Sequence, residues 1–447
     1  VTLTAKDKIC LCETRECTPE ACPYANGYYA RIKGALWDVL DVPCLTAETL
    51  QEYAERHMVC PFELGLDSSL WSDVIIGDYN YLFDPVVHLV RFFESAGDYI
   101  FLVDEAHNLP GRAREMHSAA LTKTSFYEAK KLLGKGKSSL KNALTKVNDV
   151  FIEWRHRAEE ETAARDGRFG KTFFLKERSE EFDHLLNRLC EPLEAWLDDH
   201  REPDETHTAL LQLYFDVRAW LRVADTFDDH FVLQITASGS EVRAAQLCLD
   251  PSAFLADSFA LGRAAVLFSA TLAPASYYKD LCGVPEARAV ALRSPFPAGN
   301  QGLFCIGNVS TRYKDRDASL AIVEESLATM VRARCGNYLA FFPSYAYMEQ
   351  AYAQFKEHCP EINCIKQENA MDEQQKAAFL AQFVPGPSQP LLGFAVMGGV
   401  FGEGVDLTGD RLIGVGIVGP GLPQVGPRQE QLRDYFEQTR GSGFDYA

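Results

Sequence analysis

The sequence lacks a long hydrophobic run. No stretch approaches the roughly 20 apolar residues that span a bilayer, and the opening VTLTAKDK lacks the charged-then-apolar layout of a signal peptide. We therefore expect no membrane association and a cytoplasmic location, where disulfides are rare. Positive charge is also scarce, since 44 lysines and arginines stand against 63 aspartates and glutamates, for a net charge of −19. This balance argues against a protein that simply coats nucleic acid, although one face could still carry a basic groove.

The sequence also lacks a phosphate-binding loop of the pattern G-x-x-x-x-G-K-[ST], whose backbone N–H groups and lysine hold nucleotide phosphates. In the nearest match, KLLGKGKSS, Lys131 stands where the first glycine should be, ahead of Gly136, Lys137 and Ser138. No predicted strand precedes this segment, which lies in a predicted helical region. We therefore do not interpret it as a nucleotide site.

Short apolar runs that end in turn residues occur towards both ends of the 447-residue chain, which is long enough for about three domains. Such runs are typical of parallel strands buried on both faces. A helical pattern follows one of them, with Tyr345, Met348, Tyr352 and Phe355 on one face. The alternation predicts an α/β fold. The predicted strands lie within residues 73–85, 99–103, 264–271, 337–344, 391–399 and 411–420.

The middle of the chain, residues 114–229, has helical periodicity instead, for example from Phe182 to Trp196. We interpret it as a helical insertion between two strands of one sheet. It begins with a basic run in an acidic protein, which is either a solvated helix face or a phosphate-contacting surface. The run comprises Lys130, Lys131, Lys135, Lys137, Lys141 and Lys146.

The strongest catalytic signal is VDEAH, residues 103–107, directly after an apolar strand. Carboxylates at the carboxyl end of a strand lie where ligands bind in open α/β sheets. Asp104 is a candidate to hold Mg²⁺ through water, and Glu105 to polarise the water that attacks a γ-phosphate. His107 would then lie where it can sense the nucleotide.

Two later segments support this interpretation. FSATL follows another predicted strand, and its Ser269 and Thr271 are expected to form hydrogen bonds with the acidic turn. GGVFGEGVDL is a glycine-rich loop after a strand, with Glu403, Gly404 and Asp406 at its tip. Each segment alone is compatible with an ordinary turn, but their order after VDEAH is hard to obtain by chance.

Thirteen cysteines remain to be explained, six of them in the first sixty residues. The densest group lies in KICLCETRECTPEACPY, residues 8–24. A disulfide framework is unexpected in the cytoplasm, so a local metal site is the better interpretation. Cysteines such as Cys190, Cys248 and Cys305 lie in apolar settings and are interpreted as core residues.

Taken together, these motifs resemble superfamily 2 DNA helicases of the iron-sulfur XPD/DinG class over essentially the whole chain. The resemblance includes CPFELGLDSSLWSDVIIGDYNYLFDP, residues 60–85. It implies two incomplete RecA-like motor domains, a 4Fe-4S insertion and a helical arch insertion. The implied domains are residues 1–70 for the cluster, 71–113 with 230–290 for motor 1, 114–229 for the arch and 291–447 for motor 2.

The resemblance also implies that Cys10, Cys17, Cys22 and Cys60 bind the cluster, four thiolates being the usual ligand set. Cys12 is the alternative to Cys10, because two ligands separated by one residue would be cramped. Zinc is the alternative metal, since four thiolates also form a tetrahedral site.

The implied activity is ATP hydrolysis with Mg²⁺, coupled to 5′ to 3′ movement on single-stranded or forked DNA by a monomer. Ser269, Thr271 and the 403–406 tip would couple the motor domains. DNA contacts would come from Tyr79, Asn80, Tyr81, Lys135 and Lys137, although tyrosines after a strand often serve packing instead. Because the phosphate loop and the arginine-finger motif are missing, we expect an internal fragment that is inactive alone. The alternative is a non-catalytic iron-sulfur or zinc DNA-binding module.

Overall fold

The computed structural model describes residues 1–136, 138–164, 170–202, 204–402, 404–421 and 426–446. The chain divides into two compact units, the first formed by Val1–Val290 with Gly426–Ala447 and the second by Ala291–Val425. Among the described residues, no helix combines the length and the apolar character needed to cross a membrane.

The elements of the first unit up to residue 281 are, in chain order, α1 (Lys6–Ile9), α2 (Tyr28–Val39), α3 (Ala47–His57), α4 (Pro61–Ser68), α5 (Asn80–Phe83), α6 (Val90–Phe93), β1 (Ile100–Val103), α7 (Leu109–Met116), β2 (Ala119–Thr122), α8 (Lys123–Leu132), α9 (Ser139–Ala164), β3 (Lys171–Leu175), α10 (Glu180–Asp199), α11 (Glu205–Thr226), β4 (Phe231–Ser238), β5 (Glu241–Cys248), α12 (Ser252–Ala260), β6 (Ala264–Leu267) and α13 (Ala275–Leu281).

The second unit contains α14 (Arg316–Ala333), β7 (Asn337–Phe342), α15 (Tyr345–His358), β8 (Asn363–Lys366), α16 (Glu373–Ala381), β9 (Leu391–Val396) and β10 (Gly414–Ile417). The chain then returns to the first unit with α17 (Pro427–Arg440) and α18 (Gly443–Tyr446).

The cysteine-rich N-terminal segment is a small helical bundle. Its core is built from buried side chains of α1 to α4, including Ile9, Ile32, Leu50 and Leu64. The Thr46 hydroxyl accepts the Thr49 N–H at 3.3 Å and so caps the first turn of α3. This packing fixes the helices that flank the cysteines.

Strand β1 pairs in parallel with β6, and Val103 lies opposite Leu267. The parallel direction brings the carboxyl ends of both strands, and the residues that follow them, to one edge. Both strands were predicted from sequence, and the prediction of parallel sheets is confirmed. The strand predicted within residues 73–85 is wrong, because the segment forms only an isolated bridge between Thr2 and Ile76 and then the helix α5.

The insertion after β1 contains a sheet that the sequence analysis missed. Strands β2, β5, β4 and β3 form a four-stranded antiparallel sheet, against which α8 to α11 pack. Strands β4 and β5 are joined through Gly239, whose φ of +61° suits a two-residue hairpin turn. These strands therefore belong with the insertion, although the sequence analysis assigned residues 230–290 to the motor domain. The aromatic core of the insertion includes Phe151, Phe173, Phe182 and Trp220.

The second unit is built on a parallel sheet with the strand order β10-β7-β9-β8. Helix α15 buries Met348 and Phe355 against this sheet, as its sequence pattern predicts. Strand β8 was not predicted from the sequence.

The last two helices pack in the first unit, whereas the sequence analysis assigned them to the second motor domain. Phe436 of α17 is fully buried in a cluster with Leu247 and Leu281. The Arg440 guanidinium lies 3.0 Å from an Asp250 carboxylate oxygen, and the Asp250 side chain is only 5% exposed. Apolar burial and this ion pair together hold the segment in place.

Candidate functional site

The acidic turn begins where β1 ends. Asp104 and Glu105 are both exposed, and Glu105 has a left-handed backbone with φ +45°. The Glu105 N–H donates to Asp104 Oδ1 at 2.7 Å, and the Ala106 N–H donates to the Phe268 carbonyl at 3.1 Å. The second bond joins the turn to the segment that follows β6.

His107 and Ser269 connect the two segments through their side chains. Nδ1 of His107 lies 2.8 Å from the Ser269 hydroxyl, which also donates to Glu105 Oε2 at 3.2 Å. Nδ1 of His107 is itself 3.2 Å from Glu105 Oε2, so the three polar atoms form a closed triangle. The Thr271 N–H donates to the Ser269 oxygen at 3.2 Å. Of the two residues expected to contact the acidic turn, Ser269 does so, whereas Thr271 bonds to Ser269.

Tyr79 also reaches the acidic turn, which the sequence analysis did not anticipate. Its hydroxyl donates to the carbonyl oxygen of Asp104 and, at 2.9 Å, to that of Glu105. Burial raises the pKa of Tyr79 to about 12, with smaller contributions from the nearby carboxylates of Asp104 and Glu105. The neutral, hydrogen-donating phenol is thus the stable form at neutral pH.

An open cavity of about 550 Å³ lies beside the turn. Its lining includes Asp78, Tyr79, Glu105, Asn108 and Arg112. Carboxylate oxygens are the ligands that Mg²⁺ prefers, and the exposed Asp104 carboxylate at the end of a parallel strand fits that chemistry. Glu105 lines this cavity, and a role of Asp104 in holding a metal ion stays a prediction.

The remaining residues of the YNY segment are held by local contacts. The Asn80 N–H donates to Asp78 Oδ1 at 3.0 Å at the start of α5. The Tyr81 ring lies so close to Gly77 that an added Cβ there would be 2.7 Å from it. A role of Asn80 and Tyr81 in DNA binding stays a prediction.

The glycine-rich loop of the second unit follows β9. Gly404 has φ +69° and Asp406 is exposed, while Glu403 lies outside the described residues. Arg411, which the sequence analysis missed, donates to the Phe383 carbonyl at 3.0 Å and to the Asp406 carbonyl at 3.5 Å. Gln367, also missed, is buried and accepts the Val396 N–H at 3.0 Å just before the loop. A lone arginine before a strand, or a lone glutamine just after one, gives no usable sequence signal.

The cysteines of the N-terminal bundle lie near one another but are not arranged as a metal site. Cys12 Sγ is 3.9 Å from Cys22 Sγ, and burial together with Cys22 raises the pKa of Cys12 to about 11. Cys10 lies close enough to contribute to the same shift, and Cys17 is exposed. Within the described part of the chain, no group of three or more Cys, His, Asp or Glu side chains could hold a metal ion as placed.

Backbone amides and a lysine ammonium lie close to the Cys60 thiol. It lies at the N-cap of α4, followed by Pro61 in the first turn. Burial raises the pKa of Cys60, whereas the Glu63 and Phe62 amides and the Lys6 ammonium oppose that rise. Amide donors at a helix N-terminus stabilise thiolates, including those bound to metals.

The basic run spans the end of α8 and the start of α9. Lys131 and Lys135 are exposed, and Lys137 lies outside the described residues. The Lys141 ammonium donates to the carbonyls of Gly134 and, at 3.1 Å, Gly136. Lys141 is therefore already used in holding the loop between the helices.

Comparison with known proteins places this arrangement in a family. Residues 2–126 match the DEAD_2 model and residues 327–447 match the helicase C-terminal domain model. The chain is therefore similar to the XPD-like helicases of superfamily 2. It is 22% identical over 429 residues to the ATP-dependent DNA helicase CHL1 of Coccidioides immitis, with 84% of this chain and 49% of the relative covered.

Two further XPD-like comparisons agree with this assignment. The XPD subunit of the general transcription and DNA repair factor IIH of Schizosaccharomyces pombe is 24% identical over 383 residues, covering 70% of this chain and 49% of the relative. A solved XPD helicase structure superposes with a TM-score of 0.51 at 17% identity, covering 95% of this chain and 76% of that one, which shows the shared fold. The chain spans about half the length of these two curated relatives, at 49% of each.

Proposed function

We propose that this chain forms part of an ATP-dependent DNA helicase that couples ATP hydrolysis to 5′ to 3′ movement on single-stranded DNA. The observation that carries the proposal is the triangle of Glu105, His107 and Ser269, which joins the acidic turn after β1 to the SAT segment after β6. A plain structural turn has no need for a carboxylate, an imidazole and a hydroxyl that converge from two neighbouring strands.

The chemistry follows from the positions of the two carboxylates. When bound, Mg²⁺ would neutralise charge on the transferring phosphate. Asp104 would hold that ion from the end of β1. Glu105, whose carboxylate accepts a hydrogen bond from Ser269, would orient and polarise the attacking water. His107 would respond to the bound nucleotide through its contact with Glu105. The residues that would couple hydrolysis to movement of the motor domains are Ser269, Thr271, Glu403, Gly404 and Asp406.

Nucleotide binding in this class needs a phosphate loop. The 447 residues contain no G-x-x-x-x-G-K-[ST] loop, so we expect this chain alone to bind ATP weakly and to hydrolyse it poorly. The intact protein that supplies the loop is the form in which activity is to be measured.

A 4Fe-4S cluster on Cys10, Cys17, Cys22 and Cys60 is part of the proposal. Support comes from the amide donors around Cys60 and from the proximity of Cys10, Cys12 and Cys22 in one bundle. The thiolates would have to move closer around the cluster, and Cys12 stays the alternative to Cys10. A zinc ion is the alternative occupant.

Single-stranded or forked DNA is the proposed partner. Lys131 and Lys135 present charge to solvent from the insertion, as phosphate contacts require. Asn80, Tyr81 and Lys137 stay in the proposed DNA surface on sequence grounds. A monomeric state and a cytoplasmic location likewise stay predictions from the sequence.

The test is DNA-stimulated ATP hydrolysis by the intact protein, followed by unwinding of duplexes with a 5′ or a 3′ single-stranded tail. The proposal predicts stimulation by single-stranded DNA and unwinding only with the 5′ tail. Nucleotide-independent DNA binding without hydrolysis would favour the non-catalytic binding module instead.

A further inference from the structure

Glu105 adopts a backbone conformation that a non-glycine residue rarely holds without support. Its φ of +45° and ψ of +40° lie in the left-handed region. That region is unfavourable for a residue with a Cβ. The surrounding contacts must therefore hold the turn, and the structure shows which contacts do so.

Contacts from three parts of the chain surround the strained residue. One is local, from the Glu105 N–H to Asp104 Oδ1, and one joins the Ala106 N–H to the Phe268 carbonyl. The third comes from Tyr79, whose hydroxyl faces the carbonyls of both Asp104 and Glu105. Tyr79 thus contacts the two peptide groups that flank the left-handed residue.

The Tyr79 side chain is itself fixed. Its ring packs edge-on against Phe83 with ring centres 6.2 Å apart, and Phe83 packs in the same way on Phe259 at 5.4 Å. Phe83 and Phe259 are buried. The Tyr79 ring is therefore anchored on a row of aromatic side chains that ends in buried residues.

We infer that Tyr79 is a positioning residue that holds the Asp104–Glu105 turn in the conformation used for ATP hydrolysis, through its hydroxyl and not through stacking on DNA. The inference rests on the proposed function for its link to hydrolysis. It differs from the DNA-binding role predicted for Tyr79 from the sequence. The two roles depend on different parts of the side chain, so substitutions can separate them.

The first test compares Tyr79→Phe and Tyr79→Ala in the intact protein. Positioning predicts that Tyr79→Phe lowers kcat for DNA-stimulated ATP hydrolysis by about fivefold, the loss expected for one hydrogen bond. The KM for ATP and the Kd for a labelled oligonucleotide should stay within about twofold, because the lost bond does not touch either ligand. The control is Tyr127→Phe, since Tyr127 is 58% exposed on α8 and lies outside the proposed site.

The result that would overturn the inference is equally specific. If Tyr79 stacks on DNA, Tyr79→Phe should match the unsubstituted protein, and only Tyr79→Ala should weaken DNA binding. Equal kcat for Tyr79→Phe and the unsubstituted protein would therefore reject the positioning role.

The second test does not depend on activity. In the 447-residue chain, amide hydrogen exchange at Ala106 and Asn108 reports on the turn, because their N–H groups donate to Phe268 and Glu105 respectively. Tyr79→Phe should accelerate exchange at these amides several-fold, and Tyr127→Phe should not. Unchanged exchange would overturn the inference. Absence of ATP hydrolysis in the unsubstituted intact protein would instead reject the proposed function, leaving the exchange result to decide the positioning role.

Discussion

His107 Nδ1 and the Ser269 hydroxyl lie 2.8 Å apart although the two residues are separated by 162 positions in the chain. The parallel pairing of β1 with β6 makes this possible, because it brings the ends of both strands to one edge. The whole insertion from β2 to β5 lies between them in sequence. The contact is thus a product of the fold and not of local sequence.

We expect Ser269→Ala to separate ATP hydrolysis from unwinding in the intact protein. The substitution removes the group that bridges His107 and Glu105 but leaves both in place. The rate of ATP hydrolysis should fall by less than about tenfold. The number of base pairs unwound per ATP hydrolysed should fall by a larger factor than the rate of hydrolysis does. A coupled hydrolysis and strand-displacement assay gives this ratio.

The matched control is Ser258→Ala, because the Ser258 hydroxyl only bonds back to the Phe254 carbonyl at 2.9 Å within its own helix. This control should leave the ratio unchanged. An unaltered ratio in Ser269→Ala as well would remove Ser269 from the coupling role.

The metal prediction concerns protein purified without oxygen. We expect a brown protein with about four irons per chain, the content of one cubane cluster. Cys17→Ser should lose the iron, whereas Cys12→Ser and the control Cys44→Ser should retain it. Iron analysis and visible absorption provide the measurement.

Two results would contradict that account in different ways. A colourless protein with one zinc per chain would replace the cluster with a structural zinc site. Loss of iron in Cys12→Ser with retention in Cys10→Ser would mean that Cys12, and not Cys10, is the first ligand. The distance of 3.9 Å between Cys12 Sγ and Cys22 Sγ makes this outcome worth testing.

The lysine run should reveal itself in the salt dependence of DNA binding. Each phosphate contact on single-stranded DNA contributes a slope of about −0.7 in log K against log salt. Replacing the exposed Lys131 and Lys135 by Gln should therefore make the slope less negative by about 1.4. Fluorescence anisotropy with a labelled oligonucleotide across a salt series measures this change.

Two control variants sharpen the comparison. Lys171→Gln should leave the slope unchanged, because the Lys171 ammonium is already paired with Glu159 at 2.7 Å. Lys141→Gln should have a smaller effect than Lys135→Gln, because Lys141 already holds the Gly134 and Gly136 carbonyls. Identical slopes in all variants would mean that the run is only a solvated helix face.

Arg440 should stabilise the first unit, because its partner Asp250 is almost wholly buried. Arg440→Gln leaves that carboxylate without its cation and should cost about 2 kcal/mol, lowering the thermal midpoint by a few degrees. Arg433→Gln is the control, because its pair with Asp434 is about half exposed on both sides and should contribute little. Equal thermal midpoints for Arg440→Gln and the unsubstituted protein would show that apolar packing alone holds α17.

Strands with strong local patterns were predictable from the sequence, and elements defined by distant pairing were not. The apolar run ending at Val103 and the helical face of α15 could be identified from sequence, since each is encoded in consecutive residues. Strands β2 and β3 were missed because they are short and lie beside long helices. The glycine at position 239 is nevertheless a usable sequence signal for the hairpin turn between β4 and β5.

Within the site, the sequence identified residue types but not all of their contacts. The acidic turn and SAT could be paired in advance, because both follow predicted parallel strands. The hydroxyl of Tyr79 could not be placed, because the segment before it was taken for a strand and in fact leads into α5. A tyrosine after an apolar run is compatible with stacking, packing or positioning, and only the three-dimensional contacts distinguish these roles.

The most direct test of the central claim is ATP turnover by the intact protein carrying Glu105→Gln. Glutamine keeps the size of the side chain and its contact with Ser269, but it lacks the negative charge that polarises the attacking water. The account predicts that DNA-stimulated hydrolysis falls by at least about a hundredfold, while the affinities for ATP and single-stranded DNA change by less than about threefold. Retained DNA-stimulated hydrolysis in Glu105→Gln would contradict it.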